Sequence, residues 1–298
     1  MRAALGLFLG VFGCSTAVIL IKQSGLEPAL LSSLRLLLAA LLLSPLFFRA
    51  RARHRDSWRL RDALRSVPPA LALAAHFISW VVGARATLAA NASLIVNMVP
   101  LAMPFFLALI VGERIRRVEL LGTALGLSGV AALSLGDLHA GSTHLGGDLI
   151  CFGSMLFFAL YLTLGRHNRN LPSIWLYVAP LYAVAGGLCL LVALARGGVA
   201  VFDELDQREL GLVLALAVIP TIIGHSLLNL SLKRLSGATV SVCNLAQFLF
   251  AGALAWALFR ELPKPAFWPA SALIIAGAVT TLFSRPRVAV AGADAPAP

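Results

Sequence analysis

The sequence predicts an all-α integral membrane protein of ten transmembrane helices, arranged as two inverted five-helix repeats. Three observations carry that prediction. Of 298 residues, 59% are hydrophobic and only 12% charged, whereas a soluble domain has roughly 25% charged residues. Apolar runs recur ten times, at or near the 17–25 residues or so that cross about 30 Å of hydrocarbon. Polar landmarks then recur at a fixed separation: His76 and His225 lie 149 residues apart, as do Arg85 and Arg234.

The first five runs cover 3–21, 29–48, 67–84, 88–111 and 120–135, and the second five 149–164, 174–195, 210–232, 238–259 and 267–283. The opening MRAALGLFLGVF has a signal-like shape, but its apolar run continues to Ile21 without a small-x-small cleavage site, so it reads as a retained first span. The runs are continuously apolar rather than alternating, which excludes a closed barrel. The predicted units are residues 1–137, 146–284 and a disordered tail, 285–298, ending VAVAGADAPAP.

Lys and Arg in short loops set orientation. With the N-terminus inside, 17 of the 24 fall on the cytoplasmic side and six outside, with Arg35 within a span. Both termini are therefore expected in the cytoplasm, in a multi-pass plasma (bacterial inner) membrane protein. The net charge of +11 follows from this topology rather than from nucleic-acid binding. The loop RARHRDSWRLRDALR reads as juxtamembrane arginine facing anionic lipid. Cys14, Cys151, Cys189 and Cys243 sit in apolar runs at spacings that match neither a zinc site nor a disulfide framework.

Trp80 and Asn229 share the 149-residue offset, and Glu113 (VGERI) and Glu261 (FRELP) lie 148 apart, one deletion later. Five spans per half is an odd number, so the second half enters from the opposite side. Inverted halves with a site near the midplane are a recurrent plan of secondary transporters.

HFISWVVGARATLAANASLIVNMVPLAMPFFLALIVGERI resembles the third and fourth helices of EamA-like members of the drug/metabolite transporter superfamily. GHSLLNLSLKRLSGATVSV and AWALFRELP resemble the matching eighth and ninth helices, and PALLSSLRLLLAALLLSP the second helix with its arginine, here Arg35. The resemblance covers nearly the whole chain and implies a ten-helix, basket-like carrier of small metabolites. One departure stands out: where such proteins often have Glu-Pro in the ninth helix, this chain has Ala246-Gln247, which puts in doubt any proton or cation role of that acid here.

His76, Ser79, Trp80 and Gly83 share one helix face at i, i+3, i+4, i+7. Each histidine precedes an arginine by nine residues, about 13.5 Å of helix, which puts both imidazoles near the membrane centre. A polar side chain at that depth faces a wet cavity or bonds to a neighbouring helix; both roles stay open. Asn97 lies beside Pro100 and Pro104, candidate kinks that free the carbonyls of Val96 and Pro100. Asn244 and Gln247 share a face in the ninth span. The substrate-binding candidates are thus His76, Trp80, Asn97, His225, Asn229, Asn244 and Gln247, with Ser15, Thr16, Arg35 and Tyr161 as weaker ones. Arg35 is expected to snorkel to the outer surface, with a substrate carboxylate as its other possible partner. Glu113 and Glu261 read as span-end caps or ion pairs.

All 13 Asp and Glu fall in loops, at span ends or in the tail. That disfavours a cation/proton antiporter, which is expected to need a buried carboxylate. The expected function is a secondary exporter of small neutral or zwitterionic metabolites, such as amino acids, working by alternating access. A proton-coupled drug exporter is the alternative; its proton would have to titrate His76 or His225. An intramembrane enzyme lacks H-E-x-x-H and G-x-S-x-G patterns, and a channel lacks rings of charge. No catalytic residue, metal or cofactor is expected. The expected partners are a small-molecule substrate and the bilayer, with no nucleic acid, as a monomer or a homodimer.

Overall fold

The computed structural model describes residues 2–112, 114–139, 144–167, 171–225, 227 and 243–283. Glu113, Asn229, Arg234 and the tail 285–298 lie outside the described residues, as do the predicted end of the eighth span and start of the ninth. In the first half the helices are α1 (Arg2–Gln23), α2 (Pro28–Arg53), α3 (Val67–Ala86), α4 in two segments (Ala89–Val96 and Val99–Val111) and α5 (Arg117–His139). The second half has α6 (Leu145–His167), α7 (Trp175–Gly197), α8 (Gln207–Leu216, continued by a π-helical stretch, Ala217–Gly224), α9 in two segments (described from 243 to 245, and Gln247–Phe259) and α10 (Phe267–Phe283). No strand occurs among the described residues. Seven helical stretches among them are long and apolar enough to cross a membrane.

Local chemistry sets the ends. Glu27 caps α2 by accepting from the Leu30 N–H at 2.8 Å, with Pro28 in the first turn, where its missing N–H costs nothing. Asp206 caps α8 through Glu209 N–H at 2.7 Å. Gly112, at φ 77, closes α4 in the left-handed region. Helix α2 runs past its predicted edge at residue 48 to Arg53, because alternating arginine and alanine favour helix and tolerate the wet interface.

Helix pairing follows the inverted repeat. A twofold operation that exchanges each helix with the one five later maps α2·α7, α4·α9 and α5·α10 onto themselves, and α3·α6 onto α8·α1. All five pairs pack in the structure. Lipid offers no hydrophobic drive for such pairs, so small residues let backbones approach. At Gly83 an added Cβ would lie 2.7 Å from Cys151 Sγ and 2.9 Å from Cys151 N, which fixes the α3·α6 distance. The outward faces are apolar: Leu109 is 83% exposed and Leu41 66%, as hydrocarbon-facing positions require.

Both α4 and α9 are interrupted, and the interruptions correspond. In α4 the Met98 N–H bonds to Ile95 O at 3.1 Å and Leu101 N–H to Met98 O at 2.9 Å. In α9 the Ala246 N–H bonds to Cys243 O and Leu249 N–H to Ala246 O, each at 3.0 Å. Every member is shifted by 148 residues, the offset of Glu113 and Glu261. Pro100 explains the first interruption, since it cannot donate to Val96 O. The second has no proline.

The end of the bundle that carries the α1–α2 loop is tied by charge. Glu209 accepts from Ser24 Oγ at 2.6 Å and from Gly25 N at 2.8 Å, joining α8 to that loop. Glu261 pairs with Lys22 at 2.7 Å and accepts from Ala89 N at 2.9 Å, capping α4. It therefore has the capping and ion-pairing role read for it. Thr87 donates to Asp148 at 2.6 Å, and Arg85 donates to Ile21 O and Leu26 O at 3.2 and 2.8 Å.

Candidate functional site

Two polar clusters lie along these helices. In the first, the Asn97 amide donates to Ser93 O at 2.8 Å, at the interruption of α4. Its oxygen accepts from Asn244 Nδ2 at 3.0 Å, and Asn244 Oδ1 accepts from Gln247 Nε2 at 2.6 Å. Three sequence candidates thus form one amide chain across the two interrupted helices. Asn97 and Gln247 are buried, and Asn244 is half-buried.

The second cluster surrounds His76. Its Nδ1 lies 3.0 Å from Ser154 O and 2.9 Å from Ser154 Oγ, while Ser154 Oγ donates to His76 O at 3.0 Å. A carbonyl only accepts, so Nδ1 carries the proton and, in the neutral ring, Nε2 keeps its lone pair. Of the two roles left open for His76, the structure fills the interhelical bond through Nδ1. The ring stacks on Phe158 at 4.6 Å, and Phe158 stacks on Tyr161 at 5.9 Å.

Arg35 corrects the expectation of snorkelling. It is only 3% exposed; its Nε donates to Thr221 Oγ1 at 2.7 Å, and its guanidinium carbon sits 4.5 Å from the centre of the Phe77 ring. Thr221 is in turn fixed by proline chemistry. Pro220 has no N–H for Leu216 O; the π-helical ladder turns that carbonyl toward the Thr221 N–H, five residues on, and Thr221 Oγ1 donates to it as well, at 2.7 Å. The π-helical stretch, a type of distortion frequent at functional sites, so delivers a hydroxyl to the arginine. His76, His225, Tyr182 and Cys14 all lie within reach of the Arg35 charge.

The remaining candidates are placed as follows. Trp80 is buried in the main apolar core, one turn from His76. Ser15 and Thr16 donate within their own helix, to Phe12 O at 2.6 Å and Gly13 O at 2.7 Å. Pro100 opens the second segment of α4, and Pro104 lies inside it. A groove of ≈ 610 Å³ opens elsewhere, at the arginine-rich end of α2, lined by Phe48, Arg51, Ala52, Arg55, Trp58 and Arg59. Phe48 is about 20 Å along α2 from Arg35, so that groove is separate from both clusters.

The family model described as the EamA-like transporter family matches residues 1–135 and again 145–283. The chain belongs to this family. As an EamA-like transporter it is a multi-pass membrane transporter of the drug/metabolite transporter superfamily. Sixteen solved chains match it. One, a crystal structure of a protein, superimposes with a TM-score of 0.62 at 20% identity, over 96% of this chain and 99% of that one, which bears on fold alone. No curated protein matches it.

Sequence reasoning missed Thr221, Ser154, Phe77, Phe158 and Tyr182 in this EamA-like transporter. A hydroxyl directly after Pro220 in an apolar run was a readable signal. Ser154 carries no signal of its own, because a lone serine in an apolar span most often bonds within its own helix. The aromatic residues carried no signal, because an apolar span is full of such side chains.

Proposed function

We propose that this EamA-like transporter exports small neutral or zwitterionic metabolites, amino acids foremost, by alternating access between its two halves. The observation that carries the reading is the Asn97–Asn244–Gln247 amide chain, which joins corresponding interruptions of α4 and α9. Interrupted helices at the interface of inverted repeats supply polar groups at membrane depth, and amides suit a substrate without net charge. The Nε2 lone pair of His76 adds an acceptor for an ammonium or hydroxyl. Against lipophilic cations stands the absence from the sequence of any Asp or Glu deep within a span. The proposed orientation has both termini in the cytoplasm of the plasma membrane, following the arginine distribution.

The test is counterflow in proteoliposomes with labelled neutral amino acids. Preloading with unlabelled substrate should accelerate uptake of label, as a carrier requires and an open pore does not allow. In cells fed dipeptides, expression should raise the amino acid in the medium. Counterflow of a lipophilic cation alone, or no acceleration for any amino acid, would overturn the reading.

A further inference from the structure

The Arg35 guanidinium points to a carboxylate: we propose that it is the anionic subsite of the transport cavity, holding the substrate's carboxylate end-on through its two NH2 groups. The inference rests on the transporter reading above and narrows its substrate class.

A charge taken out of water needs a partner, and one left alone in an apolar interior is strongly unfavourable. Arg35 is buried in the protein and has no carboxylate partner among the described residues. The segment 228–242 contains no Asp or Glu. Among the described residues, the titratable groups that interact with the Arg35 charge are two imidazoles, a phenol and a thiol, none of which carries a permanent negative charge.

Geometry leaves one edge free. Phe77 covers one face of the guanidinium plane. Thr221 takes the Nε–H and is itself held by Leu216 O. The NH2 pair donates to no described residue. A planar fork with Nε occupied and both NH2 groups free presents two parallel donors, the geometry that binds a carboxylate bidentately. The depth also fits: Phe77 lies nine residues from the end of α3 at Ala86, about 14 Å along the axis, near the middle of a core about 30 Å thick.

Two helices that have no sequence signal in common, α2 and the π-helical part of α8, thus fix one arginine. In a purely structural brace all three nitrogens would find protein partners. A substrate site leaves the terminal pair to the ligand, as here.

The experiment compares matched ligands by thermal unfolding of the purified full-length protein. Leucine, phenylalanine and threonine are each set against their methyl esters and amides, and lactate and pyruvate against lactamide and pyruvamide. At least one carboxylate should raise the wild-type midpoint with an apparent affinity roughly 10- to 100-fold above that of its ester or amide. Arg35→Gln should lose that preference, and Arg35→Lys should keep part of it as a point charge without the fork. Thr221→Ser should retain it. If only the carboxylates without an amino group respond, the Arg35 assignment stands and the amino-acid reading falls. The assignment itself is overturned if esters and amides stabilise the wild type as well as the acids do, if no carboxylate shifts it, or if Arg35→Gln keeps the preference. Should Arg35→Gln fail to fold, the wild-type comparison and Arg35→Lys still decide.

Discussion

Replacing Thr221 by valine keeps the shape of the side chain and removes one hydroxyl. That hydroxyl accepts from Arg35 Nε at 2.7 Å and donates to Leu216 O at 2.7 Å. Valine therefore leaves the buried Arg35 Nε–H without its acceptor, whereas Leu216 O still meets the Thr221 N–H, its partner five residues on in the π-helical ladder. A bond from a charged donor contributes about 1.5–3 kcal/mol and a neutral one about 0.5–1.5 kcal/mol. Hydrogen bonds in membrane bundles average nearer 0.6 kcal/mol, with a maximum near 1.7 kcal/mol, which argues for the lower ends of those ranges. The expected cost of Thr221→Val is about 1–2 kcal/mol. Thr221→Ser, which keeps the hydroxyl, should cost less than about 1 kcal/mol, mainly the lost methyl group. Unfolding in mixed micelles, followed by circular dichroism, measures both. The reasoning fails if the valine variant lies within about 0.5 kcal/mol of wild type, or if serine costs as much as valine.

Gly83→Val should clash with the Cys151 backbone and destabilise the α3·α6 pair by about 1–3 kcal/mol; Gly153→Ala, where nothing lies within 4 Å, should be nearly neutral, and detergent thermostability compares the two. Glu261→Ala removes both the cap on Ala89 N–H and the pair with Lys22, and should cost about 1–2 kcal/mol. A double-mutant cycle with Lys22→Met isolates the ion pair, and zero coupling would show that it contributes nothing. Asn244→Leu leaves Asn97 Oδ1 and the Gln247 amide without their present partner. Counterflow should drop at least tenfold while the unfolding midpoint moves only modestly, and unchanged transport would remove the amide chain from the site.

Much of the fold was legible because hydrocarbon demands long apolar helices, and such runs are visible one residue at a time. The repeat was equally visible, in His76 with His225 and Glu113 with Glu261. Side-chain pairing across helices was less so. Arg35 lies eight residues into its helix, where its reach allows either the interface or the interior. What decides between them is Thr221 and Phe77, 186 and 42 residues away. Likewise, nothing near His76 in the sequence indicates that Ser154 will meet it. The interruption of α4 could be read from Pro100, whereas that of α9 could not, because no residue there forbids a continuous helix.

That last difference has a mechanical consequence. Phe248 stands where Pro100 does in the other half, and it retains an N–H. The ninth helix can therefore gain the missing ladder bond and close its gap, a bond that the proline ring denies the fourth. The two halves match in layout but not in freedom. A cycle that involves straightening has only one joint available, so the motion toward one face of the membrane need not mirror the motion toward the other.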